Sequence, residues 1–244
     1  MEHNPQNGRE DLAVFYYPWD PTFVLLIPAI LLSLYAQFKV SSAYSRYSQV
    51  HSRSGLTGAQ VARTLLGANG LYDVAVEPVG GRLSDHYDPR TRVVRLSQDV
   101  YYGNSLAALA VAAHETGHAV QHARGYVPLA LRSSFVPVAN FGSSLGPILI
   151  IVGLFLPAFN FLLQLGIWAF ALAVLFQIIT LPVEFNASRR AMSFLEHNGL
   201  LAADELQGAR SVLSAAALTY VAAALAAVLQ LARFLIIAQG RRDE

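Results

Sequence analysis

Two histidines four residues apart, with a glutamate directly after the first, stand in the run His114-Glu115-Thr116-Gly117-His118. On a helix, positions i and i+4 share one face a turn apart, so His114 and His118 can offer ring nitrogens to a single Zn²⁺. Glu115 falls about 100° further round the helix. From there its carboxylate meets a water held at the metal rather than the metal itself, which is where a general base belongs. The surrounding stretch, Ser105 to Ala123, reads SLAALAVAAHETGHAVQHA. It is rich in alanine and free of proline, and so predicts the helix that the motif needs.

A catalytic zinc site takes three protein ligands and leaves a fourth position open. The chain has no cysteine, which excludes disulfides and thiolates and leaves His, Asp or Glu as the third donor. His122 continues the i, i+4 spacing, but eight residues carry it about 12 Å along the axis and about 80° round the face. Zinc bonds of about 2 Å do not span that distance, so His122 reads as a polar face residue. The extended pattern with a glycine and a third histidine also fails, because Gln121 occupies the glycine position. Glu184 is the better candidate. It ends a long uncharged helical run in LPVEFNASRRA, and a Glu from a second helix packed on the first is the usual completion of a His₂Glu site. Asp85, His86 and Asp88 can each bind metal individually, but Asp88-Pro89 reads more simply as a turn.

The elements that must position these residues belong to a membrane protein. The chain of 244 residues is 54% hydrophobic and 14% charged, with a mean hydropathy of +0.40. That is too apolar for an ordinary soluble domain. Arg132 and Glu184 bracket 51 consecutive residues without a charge, enough for two spans of about 20 residues and a turn. A net charge of +1 gives no footprint for nucleic acid or for an acidic partner. The amino terminus lacks a basic n-region and an A-x-A-like site, so its first apolar segment is expected to stay as an anchor.

Four transmembrane helices are expected, at about residues 22–38, 136–156, 159–183 and 211–235, within one membrane-embedded, zinc-binding domain over 1–244. Phe15, Tyr16, Tyr17 and Trp19 form an aromatic interfacial cluster before the first span, Asp20-Pro21 opens its helix, and Pro157 marks the turn between the second and third. Thr57 and Gln60 form a capping box that opens a helix to about Gly67. A small antiparallel β-meander is then expected, with strands Asp73–Val79, Arg82–Tyr87 and Arg92–Ser97 and a hairpin turn at Gly80-Gly81. A zincin-like part over 55–125, completed by 184–200, is thus expected beside the spans. Placing residues 39–132 and 184–210 on one side of the membrane puts 13 of the 17 basic residues there. By the positive-inside rule that side is cytoplasmic, with both termini outside. The motif and Glu184 then share a face, which the charge count did not assume.

Three separated segments, VAAHETGHAVQHA, LSDHYDPRTRVVRLS and LPVEFNASRRA, make the chain resemble the YugP-type neutral zinc metallopeptidases of bacteria, a membrane family in the gluzincin style. The resemblance covers residues 15–235. It implies one Zn²⁺ per chain held by His114, His118 and Glu184, with Glu115 as catalytic base. It also implies an endopeptidase in the bacterial inner membrane, its site facing the cytoplasm and its substrates protein or peptide, among them membrane or misfolded proteins. A more distant similarity is to the HtpX and CAAX-prenyl-protease type, whose Glu-x-x-x-Asp motif meets Glu184 and Ser188 here. Serine in place of that aspartate leaves Asn186 or Ser188 to orient a ligand histidine by hydrogen bonding.

In this reading Glu115 takes a proton from the water that zinc acidifies and passes it to the leaving amine. Arg189, Asn186, His197 and Tyr220 are the candidates for a second oxyanion donor. Either the 82–87 or the 92–97 strand could hold an extended peptide by β-augmentation. Two rival readings remain. An intramembrane protease would bury the motif helix in lipid, which its clustered polar residues oppose. A non-catalytic zinc scaffold or assembly factor would have no use for Glu115. The small residues of the second and fourth spans suit close helix packing within the chain or in an oligomer.

Overall fold

The computed structural model describes residues 21–156 and 159–240. The aromatic cluster Phe15, Tyr16, Tyr17 and Trp19, together with Asp20 and Pro157, lies outside them. A 3₁₀ turn, Pro21–Leu26, leads into α1 (Ile27–Tyr47). There follow α2 (Gly58–Ala68), β1 (Ala75–Val79), β2 (His86–Asp88), β3 (Val93–Ser97) and the single turn α3 (Gln98–Tyr101). The motif helix α4 (Leu106–Ala123) precedes three long helices, α5 (Val127–Phe155), α6 (Asn160–His197) and α7 (Leu206–Gly240).

Four helices are long and apolar enough to cross a membrane: Pro21–Tyr47, Val127–Phe155, Phe161–His197 and Leu206–Gly240. The sequence places the four segments but underestimates the lengths of the first two helices. The first runs to Tyr47, past Lys39 and Arg46, because nothing in that stretch breaks a helix. The second begins at Val127 and passes through Pro137 and Pro147. Proline is tolerated in membrane helices because neighbouring groups satisfy the carbonyls it frees. α6 likewise runs through Pro182 and stops where Asn198 caps it and Gly199 takes a left-handed φ of 62°. Large apolar side chains such as Phe38, Ile148, Phe155 and Trp168 point outward, as a lipid-facing surface requires.

The sheet differs from the expected meander. Its order is β1-β3-β2, with β1 parallel and β2 antiparallel to β3. Gly80-Gly81 is therefore not a hairpin turn. The hairpin lies instead between β2 and β3, where Asp88 accepts bonds from the Arg90 N–H, the Thr91 hydroxyl and Arg95. The physical reason is burial. Val93, Val94, Leu96 and Ser97 are all buried, so β3 is covered on both faces and takes the central place. β1, with Glu77 and Pro78 exposed, is suited to an edge.

One hydrophobic core joins α2, the sheet, α4, the end of α6 and the start of α7, through Leu65, Val94, Leu96, Leu109, Leu195 and Val212. The capping box forms as expected: the Thr57 Oγ1 accepts from the Gln60 N–H at 3.3 Å, and the Gln60 Oε1 from the Thr57 N–H at 2.9 Å. Ser105 caps α4 by accepting from the Ala108 N–H, and the Leu106 N–H bonds to the Val50 carbonyl. The motif helix is thus fixed at its start by the chain's own hydrogen bonds.

Candidate metal centre

α4 carries His114, Glu115 and His118 toward α6, and a glycine sets how near the helices come. A Cβ on Gly117 would sit 2.8 Å from the Ala187 carbonyl oxygen, closer than van der Waals contact allows. Gly117 faces Ala187, which is itself fully buried, and this brings the backbones together. Glu184, one turn before Ala187, then reaches the histidines. Its Oε2 is 3.2 Å from the His114 Nε2 and 3.6 Å from the His118 Nε2. One donor atom from each of His114, His118 and Glu184 lies within 4.8 Å of the other two.

These residues fit a zinc ion. Tetrahedral donors at bonds of about 2.0–2.1 Å stand about 3.3–3.4 Å apart, and the two Glu184 distances bracket that separation. The other ring nitrogens are occupied as ligands require. The His118 Nδ1 lies 3.0 Å from the Gln121 Oε1, while the Gln121 amide nitrogen donates to the Val183 carbonyl and the Asn186 Oδ1. With both amide hydrogens used, the Gln121 oxygen must accept, so the His118 Nδ1 carries the proton and Nε2 is left with its lone pair. The His114 Nδ1 is held by the Ser188 hydroxyl at 3.1 Å. The serine that replaces the aspartate of the Glu-x-x-x-Asp pattern therefore contacts the histidine itself, and Asn186 supports the other through Gln121.

A cavity of about 310 Å³ opens over the cluster, lined by Glu115, His114, His118 and Glu184 on one side and by β2 on the other. Glu115 is 8% exposed and shares that cavity. Asp85, His86 and Asp88 line it too, yet none joins the cluster. Asp85 accepts from the Ser97 N–H and hydroxyl and straps the β2 entrance to β3. Burial raises its pKa more than the Ser97 bonds lower it, and the Glu115 charge adds to the rise. The His86 Nδ1 donates to the Ser84 carbonyl, and Asp88 holds the hairpin turn. His122 stands apart from the cluster and bonds the Tyr87 hydroxyl at 2.8 Å, linking α4 to β2.

Of the four oxyanion candidates, Tyr220 lines the cavity. Arg189 borders a separate apolar groove between α6 and α7. Asn186 is engaged with Gln121 and Arg190. His197 lies exposed at the end of α6, bonded to Ser193.

Two residues escaped the sequence reading. Gln121 had a signal, since i+3 from His118 puts it beside that histidine. Arg132 had a different one: it and Glu184 are the charges that close the uncharged stretch, and they pair at 3.1 Å.

Residues 22–239 match a family model described as "Putative neutral zinc metallopeptidase". Over 220 residues the chain is 54% identical to the "Putative membrane protease YugP" of Bacillus subtilis strain 168, an alignment covering 90% of this chain and 97% of that protein. No solved structure matches the chain.

Proposed function

The chain belongs to the neutral zinc metallopeptidase family, and on that premise we propose that it is a membrane-embedded zinc endopeptidase with His114, His118 and Glu184 as ligands of one ion and Glu115 as its base. The observation that carries this reading is the convergence of three donor atoms within 4.8 Å beside a buried glutamate. Zinc, when bound, supplies Lewis acidity that polarises the scissile carbonyl and acidifies a water. Three protein ligands, each binding through a single atom, would leave a fourth position open. Glu115 takes the proton of the attacking water and returns it to the leaving amine. The Tyr220 hydroxyl donates to the developing oxyanion.

The extended substrate lies along β2. β3 is paired on both sides, so β2 is the strand that has a free edge and also lines the cavity. The scissile bond sits at the membrane surface rather than within the bilayer. Glu184 is 24 residues past the start of α6, about 36 Å along the axis, beyond the roughly 30 Å hydrocarbon layer. The excess of basic residues on this side supports a cytoplasmic face.

The test is cleavage of a labelled unfolded protein, such as casein, by the detergent-purified chain. Glu115→Gln should keep its zinc and lose turnover by several orders of magnitude. Retained turnover removes Glu115 as base, and a wild-type chain that binds zinc but cleaves no protein favours a zinc-dependent scaffold.

A further inference from the structure

Glu184 has two oxygens, and the structure divides them. Oε2 faces both histidine Nε2 atoms, while Oε1 is 3.1 Å from the Arg132 Nη1. Glu184 is 2% exposed, so water cannot compensate its charge. Arg132 is the single charged residue of α5, and its side chain enters the cavity that Glu115 and Tyr220 share. A carboxylate can grip a metal through one oxygen or through both. With Oε1 committed to a guanidinium, one oxygen remains for the ion.

We infer that Arg132 is a positioning residue that holds Glu184 to single-oxygen ligation and so keeps the fourth zinc position free. The inference rests on the His114, His118 and Glu184 reading and adds the device that fixes its coordination number. Without the guanidinium, Oε1 is free to swing onto the ion and take the position the reaction needs. The role differs from that of Ser188 and Gln121, which orient the histidines. It also differs from a clasp that only joins the mouth of the α5–α6 hairpin, since a clasp has no effect on the metal's ligand count.

The experiment uses the full detergent-purified chain as wild type, Arg132→Met and Arg132→Lys. Zinc affinity is measured by competition with a chelator, and coordination by the visible absorption of the Co²⁺-substituted protein. Four-coordinate Co²⁺ absorbs strongly, and a fifth ligand weakens the band. Arg132→Met should weaken zinc binding about 10–100-fold, the range for lost supporting hydrogen bonds, and should lower the Co²⁺ band. Arg132→Lys should recover part of both. Wild-type affinity and spectrum in Arg132→Met, even with a lowered melting temperature, would overturn the inference and leave the pair as a clasp. If Arg132→Met does not accumulate, Arg132→Ala takes its place, and wild-type values there overturn the inference equally. A wild-type chain that binds no zinc overturns the metal reading itself, which is a distinguishable result.

Discussion

At the scale of single residues, Glu184 joins the most contacts: it faces both histidines, pairs with Arg132 and lines the cavity. Glu184→Ala should therefore reduce zinc stoichiometry well below one per chain, measured by elemental analysis after gel filtration; full occupancy would point to another donor. Gln121 acts one bond further out. Its amide is pinned by Val183 and Asn186, and that fixes which nitrogen of His118 is protonated. Gln121→Leu should lower zinc affinity about 10–100-fold while leaving helix content intact. Unchanged affinity in chelator competition would mean that packing alone orients His118.

At the scale of elements, the site depends on how closely α4 approaches α6. Gly117→Ala would place a methyl group 2.8 Å from the Ala187 carbonyl. Overpacking of this kind costs about 1–3 kcal/mol and pushes the helices apart. The expected outcome is a lower melting temperature together with weaker zinc binding, and a loss of stability with undiminished zinc affinity would separate packing from ligation. The β2–β3 hairpin has its own titration. Thr91 and the Arg90 N–H, opposed by slight burial and helped by Arg95, hold the Asp88 carboxyl well below the usual carboxylate range. A depressed pKa gives stability that is present above the unfolded value, about 3.9, and is lost as pH falls through the folded one. The melting-temperature gap between wild type and Asp88→Asn should accordingly narrow as pH drops below about 4; a gap independent of pH would show that the charge contributes nothing.

At the scale of the whole molecule, the bundle acts as a ruler. Glu184 is 24 residues from the start of α6 and Arg132 is 23 residues from the end of α5. Both therefore lie about 34–36 Å from those helix ends, just past one hydrocarbon thickness. The two helices pack closely enough to keep these levels equal because Gly142 and Gly146 of α5 meet the backbones of Ala169 and Gly166. Since the chain has no cysteine, single engineered thiols can report topology. A thiol at Gly55 should react from the cytoplasm and one at Gly240 from the opposite side. Labelling of both from the same side would contradict three spans between them.

The family, the membrane class and the candidate metal donors were legible in the residues alone. The spacing of His114 and His118 and the charge that ends the uncharged run are local properties, legible because a helix has one period and a bilayer one thickness. The sequence also located the four apolar segments, though not how far the first two helices run beyond them, since a helix continues wherever nothing breaks it. Strand order was decided by burial: β3 became central because both its faces are covered, which no alternation of residues around Gly80-Gly81 reveals. The partners of the site were likewise decided in three dimensions. Arg132 stands 52 positions before Glu184, and Ser188 stands 74 positions after His114. Only the packing of α4, α5 and α6 brings those groups within hydrogen-bond range, because hydrogen bonds act over about 3 Å of space whatever the separation along the chain.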